Sequence, residues 1–280
     1  EVKSAGIRLD APVHLSDGIL AKRLIRNSPY HLLKIGDVAE RVWHAGRWRR
    51  VYVTNPEHGI TLLGSSAILK SDLSNEKMIS LKYTDDIEDK KLQKGWTLIS
   101  CSGTIGNCAF ANAQHAEKLA SQHVIRLKPN NILREGLVYA YLASKYGYSM
   151  LTQGTFGSVI QHIEPQNVEA IPIPEFPDTF QQEVDNLIQE SARLREEAAD
   201  MLSEAERLLK KEAGLRDLVP EDYDYYGPRN AERKVSCFTV RRKDINTTTI
   251  NAFNWSERIR KTKESITCTT KPLREVLLGG

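Results

Sequence analysis

A heptad pattern of apolar residues between Asp178 and Leu209 is the feature that most constrains this chain. Apolar or small residues recur there at alternating steps of four and three, and polar residues fill most other positions. This spacing, kept over about four heptads, predicts a single helix whose seam packs along a second helix. The seam consists of Phe180, Val184, Leu187, Ser191, Leu194, Ala198, Met201, Ala205 and Leu208. Such a helix is about 50 Å long, which is too long to be buried inside one small domain.

The partner helix must come from this chain or from another one. Ser191, Ala198 and Ala205 allow close approach but bury little area, so the predicted contact is long and shallow. The larger seam residues are the predicted partner interface, which comprises Phe180, Val184, Leu187, Leu194, Met201 and Leu208. A second copy of the chain is one candidate partner. The alternative is a packing helix with no role in assembly.

The rest of the chain predicts a mixed α/β fold. Between Leu32 and Pro174, short apolar runs punctuated by Gly, Asn and Pro indicate strands, among them WRRVYV and HVIRLKP. Residues 133–151 are predicted to form one helix, and the Pro-rich joint IPIPEFP leads into the long helix. We therefore predict a first domain at residues 1–177, a spacer helix at 178–214 and a linker at 215–235.

An imperfect repeat indicates the nature of the residues after the linker. Leu9-Asp10-Ala11 is echoed by Ile250-Asn251-Ala252, and Ile35-Gly36-Asp37-Val38 is echoed by Leu273-Arg274-Glu275-Val276. The two echoes occur in the same order at nearly the same offset. They predict that residues 236–280 are the start of a second, truncated domain of the same kind.

Charge is divided unevenly along the chain. Residues 1–177 and residues 216–280 each carry a net charge of +4, whereas residues 178–215 have ten acidic and five basic side chains. This pattern favours a polyanion as partner of the globular parts and a protein as partner of the helix. The sequence shows no transmembrane run or signal peptide, and its four cysteines are interpreted as reduced thiols, so we predict a cytoplasmic protein with no membrane partner.

Arginines and tryptophans are densest at residues 41–50, which we call the basic segment. Arg41, Arg47, Trp48, Arg49 and Arg50 are candidate DNA-binding residues, because arginine contacts phosphates and pairs with the major-groove edge of guanine. If WRRVYV is a strand, Arg47 and Arg49 share one face and Arg50 lies on the other. The alternative is a solvated strand edge with a tryptophan packed in the core.

Two Gly-rich segments can likewise be interpreted either as DNA contacts or as structural turns. SGTIG offers Ser102 and Thr104 beside glycines that let a backbone approach phosphate, but it equally fits a tight turn. QGTFGSVIQHI offers polar groups that can read base edges, or simply a turn. The remaining DNA-binding candidates are Lys70, Thr155, Ser158, Gln161 and His162.

The sequence predicts no catalytic site and no metal site. NSPY at residues 27–30 is similar to the catalytic tetrapeptide of adenine methyltransferases, but too few residues precede it to bind a cofactor. Cys101, Cys108, His115 and His123 lack the close ligand pairs of zinc fingers and ribbons, so buried thiols are the preferred interpretation.

Taken together, these motifs resemble a known family. LISCSGTIGNCAF, QHVIRLKP and GTFGSVIQHIEPQNVEAIPIPEFP, followed by a long helix, resemble the specificity (S) subunits of type I restriction–modification systems. The early KIGDVAE and the later PLREVLL resemble the openings of that family's two target recognition domains. The resemblance extends from residue 7 to about residue 215, and then to the beginning of a second domain.

The resemblance implies a division of labour. Each target recognition domain reads one half of a bipartite site in double-stranded DNA, and the long helices pair antiparallel, set the half-site spacing and dock modification subunits. Those subunits bind S-adenosylmethionine and methylate adenine, and a restriction and motor subunit joins for cleavage. The chain itself is then expected to perform no catalysis and to hold no cofactor.

Two other functions also fit the sequence. The chain is compatible with the DNA-recognition part of an adenine-specific methyltransferase or of a fused restriction–methylation enzyme whose catalytic half lies elsewhere. It is also compatible with a coiled-coil scaffold that does not bind DNA.

Overall fold

A computed structural model describes residues 16–153 and 162–216, together with short pieces between residues 239 and 277. The chain divides into two compact units, Glu1–Ala199 and Asp200–Gly280. The boundary between the units falls inside the long helix, whereas the sequence places a domain boundary at residue 177. The division into recognition domain, spacer, linker and second domain remains a prediction.

The described helices are short except for one. They are α1 (Asp17–Arg26), α2 (Ile87–Lys90), α3 (Glu135–Ala143), α4 (Lys145–Leu151), α5 (Pro165–Glu169), α6 (Asp178–Glu212) and α7 (Leu273–Leu277). Single 3₁₀ turns occur at Ile35–Val38, Pro56–His58 and Ala67–Leu69.

Ten short strands complete the described part of the fold. They are β1 (Leu32–Lys34), β2 (Ala39–Trp43), β3 (Tyr52–Val53), β4 (Gly59–Leu63), β5 (Met78–Ser80), β6 (Thr97–Ser100), β7 (Cys108–Phe110), β8 (Leu119–Ala120), β9 (Val124–Pro129) and β10 (Pro172–Pro174).

The strands form three small sheets. One four-stranded antiparallel sheet has the order β2-β9-β6-β7, and a second has the order β3-β5-β4-β8 with β4 and β8 parallel. β1 and β10 pair antiparallel, with Leu33 opposite Ile173, and so join the two ends of the first domain. The mixed α/β fold predicted from the sequence is confirmed.

The main core lies between the first four-stranded sheet and helices α1, α3 and α4. Ile99, Ile125 and Leu127 from the sheet pack there with Val138 and Leu142 of α3, all of them fully buried. Complete burial of an aliphatic side chain contributes about 1.5–3 kcal/mol each, so this cluster stabilises the platform that carries β2 and its extension.

The prediction of a single helix at residues 133–151 is wrong. Ser144 has an extended backbone (φ −65°, ψ 162°), which separates α3 from α4. Its hydroxyl accepts a hydrogen bond from the backbone N–H of Gly147 at 3.2 Å and so caps α4. A Cβ on Gly147 would lie 2.5 Å from the Cα of Leu142, so the close turn requires glycine.

Of two other local predictions, one is wrong and the other falls mostly outside the described residues. WRRVYV is not one strand, because only Tyr52–Val53 forms ladder hydrogen bonds and residues 44–51 have no regular structure. Leu273–Leu277 is helical, but most of the predicted linker at 215–235 and of the predicted second domain at 236–280 lies outside the described residues.

Helix α6 confirms the predicted long helix, with 35 residues. It ends as expected at Gly214, which has φ +64° and bonds back to the carbonyl of Lys211. Its first turns dock on the globular domain through Asp185, whose carboxylate accepts a 2.8 Å bond from the N–H of Gly136, and through the buried Gln181.

Beyond its first turns, the seam of α6 lies at the surface, whereas at its start Phe180 contacts Phe176, with ring centroids 5.0 Å apart. Phe180, Leu187, Leu194, Met201 and Leu208 repeat every seven residues, and each is between 43% and 66% exposed. Val184 is half-buried against the main core. Within the described part of the chain, the seam is therefore an uncovered apolar stripe.

Gln181 fixes the angle at which α6 leaves the domain. Its amide oxygen accepts from the N–H of Arg134 at 3.2 Å, and its amide nitrogen donates to the carbonyl of Phe176 at 2.8 Å. Replacing Gln181 by alanine leaves a buried donor and acceptor unpaired, so we expect a loss of about 1–3 kcal/mol in the free energy of unfolding. Urea denaturation measures this loss. Gln182→Ala is the control, because the Gln182 amide bonds to Asn186 on the same helix, and equal losses would contradict the assignment.

Among the described residues, no helix combines the length and the apolar character needed to cross a bilayer.

Candidate nucleic-acid interface

The basic segment begins on the edge strand β2. The register of β2 against β9 shifts between Ala39 and Arg41, which marks a β-bulge. Arg41 is exposed and forms a 2.5 Å ion pair with Asp89, and its guanidinium lies 4.3 Å from the centroid of the Trp43 ring. Arg41 is therefore held at the surface by a carboxylate that competes with any phosphate for it.

Arg47 and Arg49 differ from the other arginines of the segment. Both are exposed, and neither makes a hydrogen bond or ion pair with the described part of the chain. Arg50 is half-buried, donates to the side-chain oxygen of Gln122 and packs over the Trp48 ring at 5.2 Å. Because residues 44–51 form no strand, the predicted placement of Arg47 and Arg49 on one face of a strand does not apply.

Both tryptophans of the segment pack inside the domain. Trp43 meets Trp96 edge to face, with ring centroids 5.2 Å apart. Trp48 packs on a small cluster around Ile79, and the ammonium group of Lys90 lies 5.3 Å from its ring centroid. These contacts match the alternative in which a tryptophan of this segment packs in the core. Trp48 therefore holds the basic segment against the domain.

A fully buried arginine lies on β9, the strand that pairs with β2. Arg126 on β9 donates to the carbonyls of Val124, Lys90 and Ala120, which tie β9 to its surroundings. Burial lowers the pKa of Arg126 to about 10, although the carboxylate of Asp89 opposes that shift. Arg126 is thus a structural cation and does not belong to the exposed basic surface.

The segment SGTIG is a turn with two exposed hydroxyls. Gly103 and Gly106 have φ of +81°, and a Cβ on Gly106 would lie 2.7 Å from the Thr152 methyl. Glycine is therefore required at 106 for packing. Thr104 is exposed and Ser102 is half-buried, so both hydroxyls remain candidates for DNA contact.

The second Gly-rich segment meets SGTIG at one point. Ser102 and His162 form an isolated antiparallel bridge, and the N–H of Ile163 donates to the carbonyl of Cys101 at 3.0 Å. His162 is exposed. The other candidates from this segment, Thr155, Ser158 and Gln161, lie outside the described residues.

These contacts bring four separate parts of the sequence together. Gln122, the partner of Arg50, lies beside His123, whose carbonyl accepts from the N–H of Cys101 at 3.0 Å. Burial, followed by the charge of Arg50, holds the pKa of His123 below its ordinary value, so the imidazole is neutral near pH 7. The basic segment, the 121–123 turn, Ser102 and His162 thus form one surface.

Lys70 lies apart from this surface. It is exposed and forms a 2.5 Å ion pair with Glu76. It lines a pocket with Asn112, His115 and Arg195, beside the first half of α6. Its assignment to DNA binding stays a prediction.

Gln122, His123 and Glu164 were missed in the sequence. All three lie within the motifs QHVIRLKP and GTFGSVIQHIEPQNVEAIPIPEFP, but those motifs do not show their partners, which lie far away in the chain: Gln122 bonds to Arg50, and Glu164 lies beside His44. Only the folded arrangement of the strands makes them neighbours.

Among the described cysteines, Cys101 is buried and Cys108 is half-buried. Burial raises the pKa of Cys101 and of Cys108 to about 12, while Cys268 is exposed. Because the thiolate is the reactive form, we expect iodoacetamide at pH 8 to label Cys101 and Cys108 at least about 100-fold more slowly than Cys268. Mass spectrometry of timed samples measures these rates. In urea the three rates should converge, and similar rates in the folded protein would show that the thiols are accessible.

Several solved structures resemble this chain at low sequence identity. A structure from work on complex assembly and conformational transition of the type I R-M system has a TM-score of 0.42 and 15% identity, covering 69% of this chain and 48% of that chain. The HsdS subunit from Thermoanaerobacter tengcongensis gives 0.41 and 14%, covering 65% and 45%. The Type-I restriction-modification system S subunit from M. genitalium gives 0.40 and 15%, covering 71% and 46%. The chain spans about half the length of these proteins.

No curated protein matches the chain at a significant level. A family model does match it, over residues 27–190, which is more than half of the sequence and includes the basic segment, both Gly-rich segments and the start of α6. This match confirms the resemblance found in the sequence motifs. The chain belongs to the family of type I restriction modification DNA specificity domains.

Proposed function

We propose that residues 1–177 read one half of a bipartite site in double-stranded DNA, within a type I restriction–modification complex. The observation that carries this proposal is the pair of exposed guanidinium groups of Arg47 and Arg49, which bind no described group of the protein. Phosphate contacts of this kind position a protein on DNA, and neighbouring polar groups then read base edges. Ser102, Thr104 and His162 supply such groups on the same surface.

We propose that α6 scaffolds the complex. Most of its apolar stripe is exposed, and several arginines of the helix pair with its own glutamates, as with Arg193 between Glu190 and Glu197. A second long helix fits this stripe, supplied by another part of the full-length protein or by a second copy of the chain. The other proposed partners of the chain are the modification subunits, which in turn bring the restriction and motor subunit into the complex.

Catalysis is assigned to those partners. In this proposal the chain performs no chemistry and holds no S-adenosylmethionine, which the modification subunit binds and uses to methylate adenine. The complex acts on cellular DNA, so the proposed location is the cytoplasm.

Selection from random duplex DNA tests the reading function. The chain is incubated with the library across a salt series, with and without a modification subunit from its source, and the bound fraction is sequenced. Enrichment of a short half-site is expected, with log affinity falling linearly against log salt. If no sequence is enriched even with the modification subunit present, the reading function fails and a scaffold without DNA binding becomes the better assignment.

A further inference from the structure

Two histidines and a glutamate converge beside the basic segment. His44 comes directly after β2, and His162 and Glu164 lie just before α5. One ligand atom from each of the three side chains lies within 4.8 Å of the others. Among the described residues, this is the group of at least three His, Cys, Asp or Glu side chains close enough together to hold a metal ion. We propose that His44, His162 and Glu164 bind a divalent transition-metal ion of the Zn²⁺ class.

The distances between the ligand atoms fit such an ion. Nε2 of His44 lies 3.5 Å from one Glu164 carboxylate oxygen, and Nε2 of His162 lies 3.4 Å from the other. Ligand atoms around a tetrahedral Zn²⁺ with bonds of about 2.0–2.1 Å are about 3.3 Å apart. Both distances are long for a hydrogen bond and close to that value, but each runs to a different carboxylate oxygen. All three ligand atoms lie within 4.8 Å of one another, so a small rotation of exposed side chains would bring them around one ion.

The orientation of His44 points to the same conclusion. Its Nδ1 lies 3.0 Å from the carbonyl oxygen of Ala45, which can only accept, so Nδ1 carries the hydrogen. In the singly protonated ring this leaves the lone pair on Nε2, the nitrogen that lies 3.5 Å from the Glu164 carboxylate. A carbonyl bond to the non-ligating nitrogen is the arrangement that fixes the tautomer of metal-binding histidines.

The backbone places the other two ligands on the same side. Glu164 is extended (φ −97°, ψ 151°), and residues two apart in extended backbone project in the same direction. His162 is further fixed by its bridge to Ser102. Two imidazoles and a carboxylate suit Zn²⁺, and three protein ligands leave a position open for water or another oxygen ligand.

The expected role of the ion is to tie two distant parts of the chain. His44 and Glu164 are 120 residues apart, and the ion would link the end of β2 to the segment that enters α5. Since the unfolded chain lacks this arrangement, binding stabilises the folded state, and saturating Zn²⁺ should raise Tm by about 5 °C.

Zn²⁺ titration of the whole chain tests the site. The protein is freed of any tag, treated with a chelator and dialysed, and Zn²⁺ binding is then measured by calorimetry, with Co²⁺ absorption as a second probe of coordination. We expect one ion per chain at this site. His162→Ala and Glu164→Gln, which alter exposed side chains, should each lower the affinity at least about tenfold and abolish the rise in Tm.

His31→Ala is the matched control. His31 and Glu175 form an exposed histidine–carboxylate pair, 3.1 Å apart, that is not part of a three-residue group among the described residues. The control should bind Zn²⁺ as the unaltered chain does. Absence of Zn²⁺ binding, or equal affinity in His162→Ala and the control, overturns the site and shows that the three side chains interact only as a hydrogen-bonded cluster.

Discussion

Replacing Arg47 and Arg49 by glutamate is expected to lower the affinity of the chain for duplex DNA about 100-fold or more at 100 mM salt. Each arginine contact with DNA is worth about 1–3 kcal/mol, and reversal of the charge adds repulsion. Since both side chains are exposed and bound to no described group, folding should be almost unaffected. Fluorescence anisotropy across a salt series measures the affinity, and the slope of log affinity against log salt should decrease by about two.

The control variant carries the same change of net charge at two positions outside the basic segment. Lys145→Glu combined with Lys211→Glu also alters two exposed basic residues, so its effect reports only the net charge of the chain. A similar loss of affinity in both double variants would mean that general electrostatics, and no particular surface, attracts DNA. Single alanine substitutions then separate the roles, because a phosphate contact weakens all sequences equally whereas a base contact relaxes the preference at one position.

Replacing Leu187 and Leu194 by lysine is expected to abolish assembly through α6 while leaving the fold intact. The two side chains are 66% and 50% exposed, so the substitutions should change Tm by less than about 2 °C. In a helix pair each leucine is buried, which contributes about 1.5–3 kcal/mol, and the lysines would place two charges in that contact. The affinity for a second long helix should therefore decrease at least about 100-fold.

Light scattering and co-purification with modification subunits measure this effect. Leu24→Lys combined with Ile132→Lys is the matched control, because both residues are exposed aliphatic side chains outside α6. Loss of assembly in the control as well would point to general solubility changes. Full assembly of the α6 variant would contradict the seam and leave α6 as a helix that packs only on its own domain.

The periodic parts of the chain were predictable from the sequence. The seam of α6 contains five exposed apolar residues spaced seven residues apart, and the ends of the helix are set by a Pro-rich joint and by Gly214, so local rules were sufficient. The break at Ser144 was missed because its immediate neighbours Leu142, Ala143 and Lys145 are good helix formers. Only the close packing of Gly147 against Leu142 shows why the chain must turn there.

The candidate site was predictable only in part. The exposed arginines were found because they are close together in the sequence, although the strand proposed to arrange them on two faces is absent. His44 becomes a neighbour of His162 and Glu164, and Gln122 of Arg50, through contacts between distant segments, which no local pattern encodes. The sequence therefore located the chemistry of the basic segment but not the side chains that surround it.

The paired strands β1 and β10 also determine how a gene of this kind can evolve. The block of residues 35–171 begins and ends at adjacent strands, with Lys34 opposite Pro172, so both of its ends lie side by side. Recombination that exchanges residues 35–171 as one block would keep this two-stranded neck and leave α6 unchanged. A lineage could thus acquire a new DNA preference in one step, without redesigning the surface on which its complex assembles.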